Sequence, residues 1–337
     1  MTPILGMIAS AWRLVIPLDI AVGHSVSPFV STYPFGSSGF GTKYANPATL
    51  PFAAANDVAF HPSRNAIATT FNGVTYVYAY PWNPGFGTKY ADPATLPSGG
   101  GAGVTFKPQG DAIAIANQAT PWIDAYPWSS GFGTRYANPA TLPPSFGNTV
   151  VFNDAGTVIA VGHQTTPFVS TYPWSSGFGT KYANPAVSPA SGVTGVAFNP
   201  AGTVIATSNG GYKYISAYPW SAGFGTKYTD ASPGPTGGSG GIAFNPAGTE
   251  LALAHSVSPY ITVYPFSAGY GTKYANPATL PTGNGSEVAF NPTGDTIAVS
   301  HTTTPFISTY PWSAGFGTKY ANPATLPTGD GLSVAFI

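Results

Sequence analysis

Short apolar and polar runs alternate along this chain in a repeating order. Val288-Ala289-Phe290 is a brief apolar run that ends at Asn291-Pro292-Thr293-Gly294, with Pro at the second and Gly at the fourth position of a tight turn. Thr296 to Ser300 is a second run, followed by a polar loop from His301 to Pro305. From Phe306 to Trp312 a period of two predicts a third strand, with Phe306, Ser308 and Tyr310 on one face and Ile307 and Thr309 on the other. Ser313 to Gly317 then turns the chain into a last short strand, Thr318 to Ala321, which Pro323 stops. Both faces of the inner runs carry apolar groups, as in sheets covered on both sides. No stretch keeps a 3.6-residue apolar period over helix length.

The unit recurs. Tyr-Pro-aromatic stands at Tyr33, Tyr80, Tyr126, Tyr172, Tyr218, Tyr264 and Tyr310, with a first gap of 47 residues and gaps of 46 thereafter. A period in the mid-forties with four β-type runs per unit is the signature of one propeller blade copied side by side. The expectation is all-β: a seven-bladed β-propeller of four-stranded antiparallel blades, forming a single domain over residues 19–337 behind an N-terminal arm, residues 1–18. Phe60, Phe106, Phe152, Phe198, Phe244, Phe290 and Phe336 are equivalent inner-strand positions. The last has no second strand after it, and the second-strand run Ile20-Ala21-Val22-Gly23-His24 has no clear inner strand before it. The C-terminal strand is therefore expected to join the N-terminal blade and close the ring, leaving no open edge. A strand from Trp12 to Pro17 is the alternative for that slot.

Val-Ala-Phe-Asn-Pro-x-Gly-Thr-x-Ile-Ala resembles the first half of a WD-type repeat, and the likeness runs through all seven units. It departs from that family in lacking a Gly-His pair before the inner strand and in placing Tyr-Pro-Trp where Trp-Asp would end the third. The longer run Tyr-Pro-Trp-Ser-x-Gly-Phe-Gly-Thr-Lys-Tyr-Ala-Asn-Pro resembles repeats of tailed-phage virion proteins. That resemblance implies a non-catalytic structural or attachment component of a virion, a tail or capsid-decorating protein acting as an interaction scaffold. Its implied partners are other virion or assembly proteins, with homo-oligomers within the assembly. A glycan-binding, lectin-like propeller that meets a host-surface glycan, secreted or at the cell surface, is the alternative.

Charged residues are only 7% of the chain, 11 basic against 11 acidic, so no basic stripe for nucleic acid is expected. The 42 glycines and 35 prolines suit many tight turns. Zero cysteines exclude disulfides and thiolate chemistry. The apolar start, residues 1–18, is interrupted by Arg13 and too short to span a bilayer. It reads as an arm, an inner strand or a signal.

Seven of the basic residues share one position: Lys43, Lys89, Arg135, Lys181, Lys227, Lys273 and Lys319. They form either a cationic ring for an acidic partner or, the reading favoured by their place on the last strand, a guard against edge-to-edge pairing. His24, His163, His255 and His301 share another position and are expected to be hydrogen-bonded loop residues rather than metal ligands, since different blades do not bring them together. Phe29, Tyr76, Trp122, Phe168, Tyr214, Tyr260 and Phe306 open the third strands, and they and the tryptophans of Tyr-Pro-Trp are expected to pack between blades. The acids Asp57, Asp111, Asp124, Asp154, Glu250 and Glu287 look scattered, no nucleophile or phosphate-loop motif occurs, and the repeats keep their symmetry. No enzyme, cofactor or metal is expected. The variable connections and the unusual loops after Phe71 and Asn209 share one rim, where loops on a rigid frame usually bind. Phe71, Asn72, Tyr76, Trp122, Phe146, Asn209 and Tyr212 are the candidate partner-binding residues.

Overall fold

The computed structural model describes residues 18–337, so the expected arm lies, but for Leu18, outside the described residues. Seven repeated antiparallel sheets give a propeller-like fold. Blade 1 runs Ala55–Phe60, Ala66–Phe71, Val77–Pro81, and blade 2 runs Gly101–Phe106, Ala112–Asn117, Ile123–Pro127. Blade 3 is Gly147–Phe152, Val158–His163, Val169–Pro173, and blade 4 is Val193–Phe198, Val204–Asn209, Ile215–Pro219. Blade 5 is Ser239–Phe244, Glu250–His255, Ile261–Pro265, and blade 6 is Gly285–Phe290, Thr296–His301, Ile307–Pro311. In blade 7 the inner strand is Gly331–Phe336, which pairs antiparallel with Leu18–His24, itself paired with Val30–Gly36 and then Gly39–Phe40. Each inner strand touches the inner strands of the blades on either side, blade 7 against both blade 6 and blade 1.

Six sheets have three strands, not the expected four. In blade 1 the segment after Trp82 makes one isolated bridge, Trp82 to Phe86, and then two backbone bonds to the outer strand, Gly87 N–H to Pro81 O (2.8 Å) and Tyr90 N–H to Ala79 O (2.9 Å). Pro81 has no N–H to return, and Gly87 approaches so closely that a Cβ there would lie 2.9 Å from the Pro81 Cβ. The run is tethered at its two ends without becoming a ladder.

The core lies between blades. Ala66, Ala68, Val77 and Ala79 of blade 1 pack on Val104, Phe106, Ile113, Ile115, Tyr126 and Trp128 of blade 2, and the other blade pairs repeat this arrangement. The middle strands of blades 1 to 6 are buried along their whole length, which is why, apart from Glu250 and the His or Asn that ends all but the first, their residues are apolar or small on both faces. Trp128 sits edge-to-face on Phe106 (5.0 Å) and Phe132 (5.1 Å) of its own blade and on Tyr90 of the segment before it (5.3 Å). The Tyr-Pro-aromatic motif is thus a rivet between neighbours, and Trp82, Trp174, Trp220 and Trp312 repeat it. The tyrosine two residues earlier is buried and tied by its hydroxyl to a carbonyl of the preceding connection, as Tyr172 is to Thr141 O (2.8 Å).

Candidate active site

Each inner strand carries a register shift near its start, between Ala55 and Asp57 in blade 1 and between Gly285 and Glu287 in blade 6. A bulge re-aims the next side chain, here toward the axis. The equivalent residues, three before the inner-strand phenylalanine, are Asp57, Gly103, Thr149, Gly195, Gly241, Glu287 and Ser333. Symmetry therefore fails at the axis. Glu287, Ser333 and Asp57 come from the consecutive blades 6, 7 and 1, while three of the other four positions are glycine.

Asp57, Thr149, Gly195 and Glu287 line a cavity of about 160 Å³. At ~30 Å³ per water it holds about five waters, or the reacting end of a small molecule. Asp57 Oδ1 accepts from the Ser333 hydroxyl (2.8 Å) and from Val58 N–H (2.8 Å), and Oδ2 accepts from Val104 N–H (2.8 Å). Burial nevertheless pushes the Asp57 carboxyl up to about 6, the three hydrogen bonds opposing that rise. Glu287 is held well above the usual carboxylate range, by burial first and then by the charge of Asp57. Two carboxyls that cannot both ionise cheaply near neutrality give one base and one acid at one cavity.

Asp124 and Glu250, by contrast, serve the frame. Asp124 pairs with Arg135 (2.8 Å), and Glu250 accepts from the Trp312 indole (2.6 Å) and from Asn245 (2.7 Å). The basic residues bond locally: Lys43, Lys181, Lys273 and Lys319 reach an asparagine three residues on, Lys89 and Lys227 an aspartate, and Arg135 reaches Asp124 and Ser98. His24, His163, His255 and His301 are fully buried at the ends of middle strands, each with Nε2 on a Ser or Thr hydroxyl of the adjacent strand. Burial pushes all four down to about 4, so they are neutral at pH 7. Among the described residues no three His, Asp or Glu gather in a way that could hold a metal.

Of the expected rim residues, Phe71 and Asn209 are sealed from solvent, Tyr76 and Trp122 are half-buried, and Asn72, Phe146 and Tyr212 are exposed. The aromatics expected to open the third strands lie one residue earlier, at positive φ from 52° to 72°, where their carbonyls take the last N–H of the middle strand, as Phe29 O does from His24 N–H (2.8 Å). Among the described residues no helix is long and apolar enough to cross a membrane.

No family model matches this chain, and no curated protein matches it by sequence. Solved structures do. A Lactobacillus plantarum protein superposes with TM-score 0.73 at 12% identity, covering 96% of this chain and 100% of its own. A Bacteroides fragilis protein named as a 6-phosphogluconolactonase gives 0.71 at 15%, covering 95% and 98%. The periplasmic gluconolactonase of Pseudomonas aeruginosa gives 0.68 at 13%, covering 95% and 99%. At such identities the likeness establishes a common fold. The expectation of a non-catalytic virion component placed in a phage particle is corrected by the neighbours' names, which are those of bacterial lactonases, one of them periplasmic. The physical reason that expectation failed is the axial ring, where the supposedly scattered Asp57 and Glu287 occupy one repeat position and meet at one cavity.

Proposed function

We propose that this chain is a hydrolase that opens a small cyclic ester of the sugar-lactone class in its central channel. The observation that carries this reading is the break in sevenfold pattern: two carboxyls with raised pKa and one hydroxyl at consecutive axial positions of an otherwise small, neutral ring. Ionised Asp57 takes a proton from a water whose oxygen adds to the ester carbon. Protonated Glu287 gives its proton to the ring oxygen as the acyl–oxygen bond breaks, yielding the open hydroxy acid. A proton then passes from Asp57 to Glu287 through solvent, which restores both groups. Ser333 positions Asp57 by its hydrogen bond. The names of the structural neighbours support the substrate class. Among the described residues no Lys, Arg or His lines the cavity, which favours an unphosphorylated lactone over a phosphorylated one.

The domain reading that goes with this is one propeller over the described residues, closed by the C-terminal strand, which both completes blade 7 and delivers Ser333 between the two acids. A cellular or periplasmic setting fits. The test is proton release from D-glucono-1,5-lactone above its spontaneous rate, with wild type, Asp57→Asn and Glu287→Gln. The proposal requires acceleration by wild type and a loss of about 10²–10⁴-fold in each variant; folded variants as fast as wild type would sink it.

A further inference from the structure

The axial residue of one blade caps a backbone donor of the next. The Ser333 hydroxyl accepts from Val58 N–H (3.0 Å), and Asp57 Oδ2 accepts from Val104 N–H (2.8 Å). Those two N–H groups therefore face the lumen rather than the middle strand. Val150 and Ile242 hold the same register as Val58 and Val104, opposite Val161 and Leu253 as those are opposite Thr69 and Ile115, so their N–H groups point inward too. Both line the cavity. The preceding blade, however, offers each of them only a glycine. A Cβ added at Gly103 would stand 3.3 Å from Val150 N, and one added at Gly195 would stand 3.1 Å from Ile242 N. The third axial glycine differs, because the space above Gly241 is already filled by the Glu287 carboxyl group.

Resting on the hydrolytic reading above, we propose that the uncapped N–H groups of Val150 and Ile242 are two donor subsites that bind oxygens of a polyhydroxylated lactone in the channel, Ile242 beside Glu287 and Val150 two blades from Asp57. Gly103 and Gly195 are specificity-determining because any larger side chain would cover the donors. Backbone donors fixed by the sheet suit an ester carbonyl that gains negative charge as water adds, and they serve a neutral sugar-acid ring without any cationic side chain.

The test follows the amide signals of Val150 and Ile242 in ¹⁵N-labelled protein during titration with D-glucono-1,5-lactam, which does not hydrolyse. Both amide protons should move downfield and saturate together, while those of Val58 and Val104, already capped, stay in place. Gly103→Ser and Gly195→Ser supply a hydroxyl where Ser333 supplies one to Val58, and each should weaken lactam binding about 10-fold, the weight of one hydrogen bond. Gly103→Ala and Gly195→Ala report bulk alone, and near-ultraviolet circular dichroism reports folding, since a Cβ at Gly195 meets the Ser208 hydroxyl at 2.7 Å. Unmoved amides, absent lactam binding, or serine variants that bind as tightly as wild type overturn the subsites. The two readings separate cleanly: lactone hydrolysis with unmoved amides removes the subsites alone, and saturable amide shifts without hydrolysis remove the reaction alone.

Discussion

Replacing Asp57 by Asn should make the folded protein more stable as pH rises, relative to wild type. The Asp57 carboxyl moves from 3.8 to about 6 on folding, with burial as the leading cause. A carboxyl raised in the fold keeps its proton there after the unfolded chain has lost it. Its contribution is therefore most favourable below about 4 and is lost as pH climbs through 6. Roughly two pKa units at ~1.4 kcal/mol each amount to about 3 kcal/mol that wild type gives up between pH 4 and pH 8 and the Asn variant does not. Asn keeps one acceptor but turns a donor toward Val104 N–H or the Ser333 hydroxyl, a fixed cost of about 1–2 kcal/mol at every pH. The informative quantity is the change in the variant-minus-wild-type difference, in which that fixed cost and the titration of the buried histidines cancel, while Glu287, freed of the Asp57 charge, adds in the same direction. Urea unfolding of both proteins at pH 4 and pH 8 should show the difference rising by about 3 kcal/mol in favour of Asn. Parallel pH dependences, with a rise under about 1 kcal/mol, would refute the desolvated-acid reading of this position.

Three further outcomes follow from the fold. His24, His163, His255 and His301 are pushed from 6.5 to about 4, so stability should fall as pH drops from about 6.5 toward 4, and His163→Asn, the residue blades 2 and 4 carry there, should shift the acid-unfolding midpoint downward. Tyr172→Phe removes the bond to Thr141 O but keeps the buried ring, and should cost about 1 kcal/mol in chemical denaturation, with the same cost at Tyr126 and Tyr310. Deleting residues 332–337 removes Val334 from the core and most of the strand paired with Leu18–His24, and should lower the melting temperature by many degrees; an unchanged melting curve would refute closure by that strand.

The repeat made the frame legible. Seven Tyr-Pro-aromatic motifs announced seven sheets, and the tryptophans of that motif do rivet neighbouring blades. The fourth strand was misread because Thr318 to Ala321 has the composition of a strand, whereas Gly317 and Pro311 leave room for only two backbone bonds, Gly317 N–H to Pro311 O and Tyr320 N–H to Thr309 O. The channel site escaped because regularity drew attention to what the units share. Its signal was present in what they do not share: at the position three before Phe60 and Phe290 an acid replaces the small residue found in most blades. Ser333 was hidden for another reason, since 276 residues separate it from the Asp57 it contacts and only pairing of the two chain ends brings them together.

The central claim is that Asp57 and Glu287 form a working acid–base pair. The most direct measurement is the pH dependence of kcat/KM for D-glucono-1,5-lactone hydrolysis above the spontaneous rate. The account predicts a rise through about pH 6 as Asp57 ionises and a fall at higher pH as Glu287 loses its proton, with the rising limb abolished in Asp57→Asn and the falling limb in Glu287→Gln. A flat profile, or the same bell in both folded variants, would contradict it.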